Sequence, residues 1–435
     1  MGKRAIKWLY QELPVLVSKG VLAQEAADRL REYYGEIKDA GKKMTAVIIC
    51  GVLGALLIGL GIILLLAHNW EEFSRFTRAI LSFLPLLIGQ GLAFWVLCKR
   101  PQSHAFKEAS ATFLSLMVGA SIALISQTYN IHGTAGTFIL TWMLLIVPLV
   151  YLMQASLPAV IYFIGITAWA GNYWNDPLMA VLFWPLAAVV MPHFIWALRK
   201  EIYTIRTTIM ALVMAICVSI GAGFSLGKTW SGSWIIIYSS IYAVLFGLGN
   251  RAFKGLTSNW QRPLRIIGVL GILFLAFLFT VRFVWQYIGA DYYRLSREVS
   301  GSTAFLDHLI TFAIIALAMF FLYDNARRKK LTLALFGALP LLAIITYSLR
   351  GQEIIFPLFI FNAYLLILSL VRIKEGIRNN SLAAINSGML ILGILLIVRF
   401  FDSDINFILK GLAFIAVGVG FLVTNVVLVR RGGGR

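Results

Sequence analysis

Charge is what this sequence has least of. Asp, Glu, Lys and Arg make up 13% of its 435 residues, where soluble domains carry about a quarter. With 60% of the residues apolar and a mean hydropathy of +0.84, that shortage excludes a water-soluble fold. Acidic residues are scarcer still, 19 against 38 Lys and Arg. A net charge of +19 ordinarily raises the question of nucleic acid, but the positive-inside rule accounts for it better, and no nucleic-acid partner is expected. Cysteine is nearly absent. Cys50, Cys98 and Cys217 lie in or at the edge of apolar segments at no metal-ligand spacing, so neither a disulfide nor a zinc site is expected. There is no Gly-rich phosphate loop and no His and carboxylate set at metal spacing, and no cofactor is expected.

Ionisable groups are also missing from the middle of the apolar stretches. An ion- or proton-coupled transporter needs a titratable or coordinating group near the bilayer midplane. Here His193, Arg282, Asp307, His308 and Arg399 all fall toward the ends of apolar segments. That distribution argues against secondary active transport. Asn362, Asn386 and Gln154 are left, and interhelical hydrogen bonding is the common role of such residues.

What the sequence has in abundance is long apolar runs. A bilayer core about 30 Å thick takes roughly 20 apolar residues per helix, because only a helix satisfies its own backbone there. On that basis the chain reads as an all-α polytopic membrane protein with about fourteen transmembrane helices. The spans are 44–67, 76–98, 109–130, 135–153, 156–171, 177–198, 207–226, 232–249, 264–289, 303–323, 331–349, 354–371, 381–400 and 407–429. The fifth is short and has Pro158 near its start. No cleavable signal peptide precedes Met44, since the first 43 residues are polar and basic.

Charge sets the orientation. With the amino terminus inside, the segments 1–43, 99–107, 199–206, 251–265, 327–330, 372–378 and 430–435 all face the cytoplasm and hold 29 of the 38 Lys and Arg. Losing or adding one span would invert every later loop, so an even count with both ends in the cytoplasm is expected. Residues 1–43 form a separate cytoplasmic unit. Trp8, Leu9, Leu13, Leu16 and Val17 make one helical apolar face, Gly20 reads as a cap after Lys19, and Leu22, Ala26, Leu30, Tyr33 and Tyr34 make a second. This is the pattern of an amphipathic helical hairpin lying on the membrane or beneath the bundle, with docking of a protein partner through residues 1–40 as the alternative. The bundle then occupies 44–430, and 431–435 is a tail of the kind appended to recombinant chains.

Polar chemistry gathers at the outer helix ends. The first outer loop reads AHNWEEFSRFTR, the second SQTYNIHGT, and VRFFDSD stands at 398–404. An interfacial belt of anchoring aromatics and snorkelling charges explains much of this. It explains less well Gln127 beside Tyr129, or Arg399 beside Asp402 and Asp404, in loops that need no charge. The candidate binding residues are therefore His68, Asn69, Trp70, Glu72, Arg78, Gln127, Tyr129, Arg399, Asp402 and Asp404. No catalytic or metal-binding residue is assigned. Aligning Gly61 with Gly393 places Glu72 on Asp404 and Arg78 on Lys410, a spacing that would suit parallel repeats at the two ends of the bundle.

Four segments in order, LPVLVSKGVL with REYY, GIILLLAHNWEEF, LISQTYNIHGTAGTFILTWMLLIVPL and RFFDSDINFILKGLAFIAVGVG, resemble the prokaryotic membrane-protein family known as domain of unknown function 2157. The resemblance implies a bacterial cytoplasmic (inner) membrane location and supplies no mechanism. Three functions fit the residues. The first is a protein that binds or translocates a lipid or amphiphile at the outer helix ends. The second is a non-catalytic scaffold of a membrane complex. The third is an enzyme acting on a lipid-linked substrate, with Glu71 or Glu72 as a base or metal holder, although the first outer loop is short for that role.

Overall fold

The computed structural model describes residues 12–14, 16–34, 70–200, 204–229, 232–253, 262–287, 301–349 and 354–402, with isolated positions to 420. The spans expected at 44–67 and 407–429 lie outside the described residues or reach them only at isolated positions. Every described element is helical, and the chain is an integral membrane protein. It divides into two compact units, residues 1–78 and 79–435.

In the first unit, helical residues lead into a turn at Gly20, which takes φ +70°. Val21 N–H donates to the Leu16 carbonyl and Gly20 N–H to that of Val17, both at 3.0 Å. These are the two bonds of a Schellman cap, whose left-handed residue is best filled by glycine. Helix α1 (Gln24–Tyr34) follows. Leu13 and Ala27 are buried and Ala26 and Leu30 half-buried, whereas Tyr33 is 81% exposed and stands off the expected face.

The helices that follow are α2 (Arg75–Lys99), α3 (His104–Tyr129), α4 (Ala135–Met153), α5 (Ser156–Asn172), α6 (Pro177–Val181), α7 (Phe183–Lys200), α8 (Ile205–Ser225) and α9 (Trp234–Ala252). After them come α10 (Pro263–Leu278), α11 (Arg282–Tyr287), α12 (Gly301–Arg327), α13 (Leu331–Gly337), α14 (Leu339–Ser348), α15 (Ile355–Arg378) and α16 (Leu382–Asp402). Among the described residues nine helical stretches are long and apolar enough to cross a membrane, or ten with the bent pair α13–α14. Twelve of the fourteen expected spans fall on described helices, but three of those helices are too short or too broken to cross by themselves.

The first of the three is α5, with 17 residues. Tyr162, Phe163 and Ile166 are fully buried, since α4, α8, α3 and α7 all pack against it. Leu157 and Ile164, 42% and 52% exposed, keep one narrow stripe of the helix open, and packing against its neighbours, not length, holds the rest in place. The second, expected as one span over 264–289, breaks after Leu278. In hydrocarbon the carbonyls freed by such a break need internal donors, and side chains supply them. Thr280 Oγ1 donates to Phe277 O at 2.7 Å, Trp285 Nε1 to Phe279 O at 2.8 Å, and Arg399 to Thr280 O. The third is the α13–α14 pair, bent by 42° just ahead of Pro340, which lacks an N–H and crowds the preceding turn.

Small residues set the closest helix contacts. A Cβ on Gly268 of α10 would lie 2.5 Å from Phe246 N of α9, and one on Gly388 of α16 would lie 2.8 Å from Ser369 O of α15. One core is built around α4, α5, α7 and α8, and a second around α9, α10 and α13–α16.

Candidate functional site

The residues expected to bind are distributed over several places. His68, Asn69 and Asp404 lie outside the described residues. Asp402 ends α16, its side chain outside the description. Trp70 is buried in the 3-10 turn Trp70–Glu72, Glu72 is exposed, and Arg78 Nε donates to Phe73 O at 3.0 Å. Arg399 is held by the helix break described above. Tyr129 is 53% exposed and does not line the hollow between α3 and α4. Gln127 lines a cavity.

That cavity, ≈ 800 Å³ in volume, sits where α3 ends and α4 begins. Its shape follows from the caps on either side. Asn130 closes α3 in the left-handed region, φ 49°, a conformation asparagine tolerates better than most residues. Thr134 opens α4 with a capping box, its hydroxyl accepting from Thr137 N at 3.2 Å while Thr137 Oγ1 accepts from Thr134 N at 3.1 Å. Ser126 Oγ reaches across to Ile131 O at 2.9 Å and fixes the connection. The hollow so framed is lined by Gln127, Asn130 and His132 near the connection, by Thr137 and Thr141 along α4, and by Ile122, Ile125 and Phe138. Polar groups beside apolar ones suit an amphiphile. Gln127 and Arg399 are not brought into one site: α3 packs on α4 and α5, and α16 on α15.

Two buried carboxylates carry more of the polar architecture than the sequence reading assigned to them. Glu108, 7% exposed, lies one turn inside α3. It accepts from Ser156 N at 2.7 Å, Leu157 N at 2.9 Å and Arg206 Nη1 at 3.2 Å. The first turn of α5 has two N–H groups to satisfy and a third position, Pro158, that has none, so one carboxylate from another helix completes it. The signal was the early start of α3 at His104, which turns Glu108 from a loop residue into a helix residue.

Asp307, 3% exposed, stands two turns into α12. It accepts from Gly227 N at 3.0 Å, Lys228 N at 3.1 Å and Thr229 Oγ1 at 3.0 Å, holding the connection between α8 and α9. His308 Nε2 lies 3.4 Å from Thr229 Oγ1. Burial pushes the Lys228 ammonium below the usual lysine value, against the opposing pull of Asp307. With its oxygens taken by these three donors and by Thr311 Oγ1 at 3.5 Å, Asp307 is a clasp and not a free base. Among the described residues no three His, Cys, Asp or Glu side chains converge as metal ligands would.

No curated protein and no solved structure matches the chain. Residues 15–159 match the model of a family described as predicted membrane protein (DUF2157), and the α3–α4 hollow lies wholly within that stretch.

Proposed function

We propose that the protein crosses the bacterial inner membrane fourteen times, with both ends in the cytoplasm, and binds or translocates a lipid or amphiphile at its outer helix ends. The observation that carries this reading is the α3–α4 hollow, which sets Gln127, Asn130 and His132 beside Ile122, Ile125 and Phe138. The pairing of helix ends supports the orientation. Segments that the charge pattern assigns to the cytoplasm meet one another, as Arg251 meets Asp324 at 2.6 Å and Glu108 meets Arg206. Segments assigned to the outside also meet, as Asp307 meets Gly227 and Arg399 meets Thr280. A second reading, a scaffold that docks a partner through residues 1–40, is favoured by the exposed Val21 and Tyr33.

The test is mass spectrometry of the lipids retained by the full chain in mild detergent, for the wild type and for Gln127→Ala with His132→Ala. The expected result is enrichment of one lipid class over bulk membrane, lost in the variant at unchanged unfolding temperature. Retention that mirrors bulk lipid, or that survives the variant, overturns the reading, and a stoichiometric second protein supports the scaffold instead.

A further inference from the structure

At the end of the bundle where α9 and α15 finish and α10 and α13 begin lies a second cavity, ≈ 1050 Å³ in volume. Its lining is cationic: Arg265, Lys329, Lys330, Arg372, Lys374 and Arg378 face a single carboxylate, Glu375. A positive-inside loop accounts for the exposed members, Lys329, Lys330, Lys374 and Arg378, which water solvates. It does not account for Arg265 and Arg372, which lie within helices and are half-buried.

Arg265 has the like charges of Arg262 and Arg372 beside it. Arg372 donates through Nη2 to Ser387 Oγ at 3.0 Å and reaches Glu375 only at 3.5 Å, while its buried Nε has no partner. Glu375 is already engaged, accepting from Thr332 Oγ1 at 2.5 Å. Partly desolvated guanidiniums gathered around so little negative charge are held against their own repulsion, and an anion relieves it. The turn between α12 and α13 adds to the cost. It places Lys329 in the left-handed region, φ 54°, where glycine is the residue of least strain.

We propose that this cavity binds the phosphate group of an anionic amphiphile, the forks of Arg265 and Arg372 taking the phosphate oxygens and the lysines completing the neutralisation. Phosphate fits better than carboxylate because it offers oxygens in several directions to donors arriving from different helices. The volume exceeds what a free ion needs, and Leu331, Leu333, Val371 and Ile373 line the rest, which suits a glycerol and the start of acyl chains. This site shares no residue with the α3–α4 hollow and stands or falls separately from it.

The experiment uses the full chain in dodecyl maltoside, with thermal unfolding followed by tryptophan fluorescence. Three probes are titrated: phosphatidylglycerol, phosphatidylcholine of the same chains, and inorganic phosphate. Phosphatidylglycerol should raise the unfolding temperature where phosphatidylcholine does not. Stabilisation by inorganic phosphate to the same extent would keep the phosphate chemistry and assign a soluble ligand as its source. In Arg265→Gln with Arg372→Gln the apparent affinity should fall by about tenfold or more, because a hydrogen bond to a charged group contributes at least that factor. Lys99→Gln with Lys107→Gln, away from the cavity, should leave it unchanged. If the arginine pair fails to fold, Lys330→Gln with Lys374→Gln should still weaken the effect. The proposal is overturned if neither phosphatidylglycerol nor phosphate stabilises, if phosphatidylcholine does so equally, or if the response survives these cavity variants.

Discussion

Replacing Glu108 by alanine should destabilise the bundle more than any substitution of an exposed charge, because one side chain satisfies the start of another helix. The carboxylate takes two backbone N–H donors of α5, at 2.7 and 2.9 Å, and a guanidinium at 3.2 Å. Each hydrogen bond to a charged acceptor contributes about 1.5–3 kcal/mol. The three share one group and are not additive, so the loss is set by what breaking a buried ion pair costs, about 3–5 kcal/mol. Arg206 is more exposed than Glu108, 23% against 9% for the side chains, and its part is discounted for solvent. The expected order of destabilisation is therefore Glu108→Ala, then Glu108→Gln, which keeps one acceptor oxygen, then Arg206→Gln, which leaves the helix cap in place. Reversible unfolding in mixed dodecyl maltoside and dodecyl sulfate micelles measures all three. A loss below about 1 kcal/mol for Glu108→Ala, the size of an average substitution, would refute the reasoning. So would a loss for Arg206→Gln equal to that of the alanine variant, since the ion pair and not the helix start would then dominate.

Arg399→Gln should lower stability by about 1–3 kcal/mol, the cost of a buried carbonyl left without its donor, at unchanged lipid retention, with Arg399→Lys intermediate; loss of lipid at unchanged stability would make Arg399 a headgroup anchor. Single cysteines at Lys43, Lys329 and Arg431, in a chain without native cysteines, should be shielded from impermeant thiol reagents in intact cells while one at Ser74 labels. Labelling at both Lys43 and Ser74 would defeat the orientation.

The helices were legible because their signal is one-dimensional. A run of apolar residues declares a helix wherever it occurs, and the apolar stretches at 135–153 and 207–226 match α4 and α8 to within a few residues. Gly20 was legible for a similar reason, a glycine after a basic residue at the end of a periodic face. The breaks were not. Nothing in the residues around Leu278 requires the helix to stop there, and what stabilises the break includes Arg399, 119 residues further on. Partners at that separation leave no local pattern.

The candidate site shows the same division. Gln127, Asn130 and His132 stand within six residues of one another and were visible as a polar word in an apolar text, whereas the hollow that they line with α4 was not. Asp307 was noted only as lying near a helix end, because the Gly227–Thr229 segment that it holds is remote in sequence. The cavity lined by Arg265 and Arg372 escaped for another reason. Its arginines and lysines were absorbed into the orientation argument, where any loop cation serves equally well, and only geometry separates Arg265 and Arg372 from cations that water can solvate.

The burial of α5 bears on how the chain is made. Tyr162, Phe163 and Ile166 are covered in part by α7 and α8, which leave the ribosome later, and domains form as their pieces emerge. A 17-residue helix lacks the acceptor of Tyr162 Oη, Leu186 O, until α7 is inserted, and lacks part of its packing surface until α8 follows. The packing around α5 is therefore complete only once α8 arrives, and the order of synthesis bears on the helix that is too short to cross by itself.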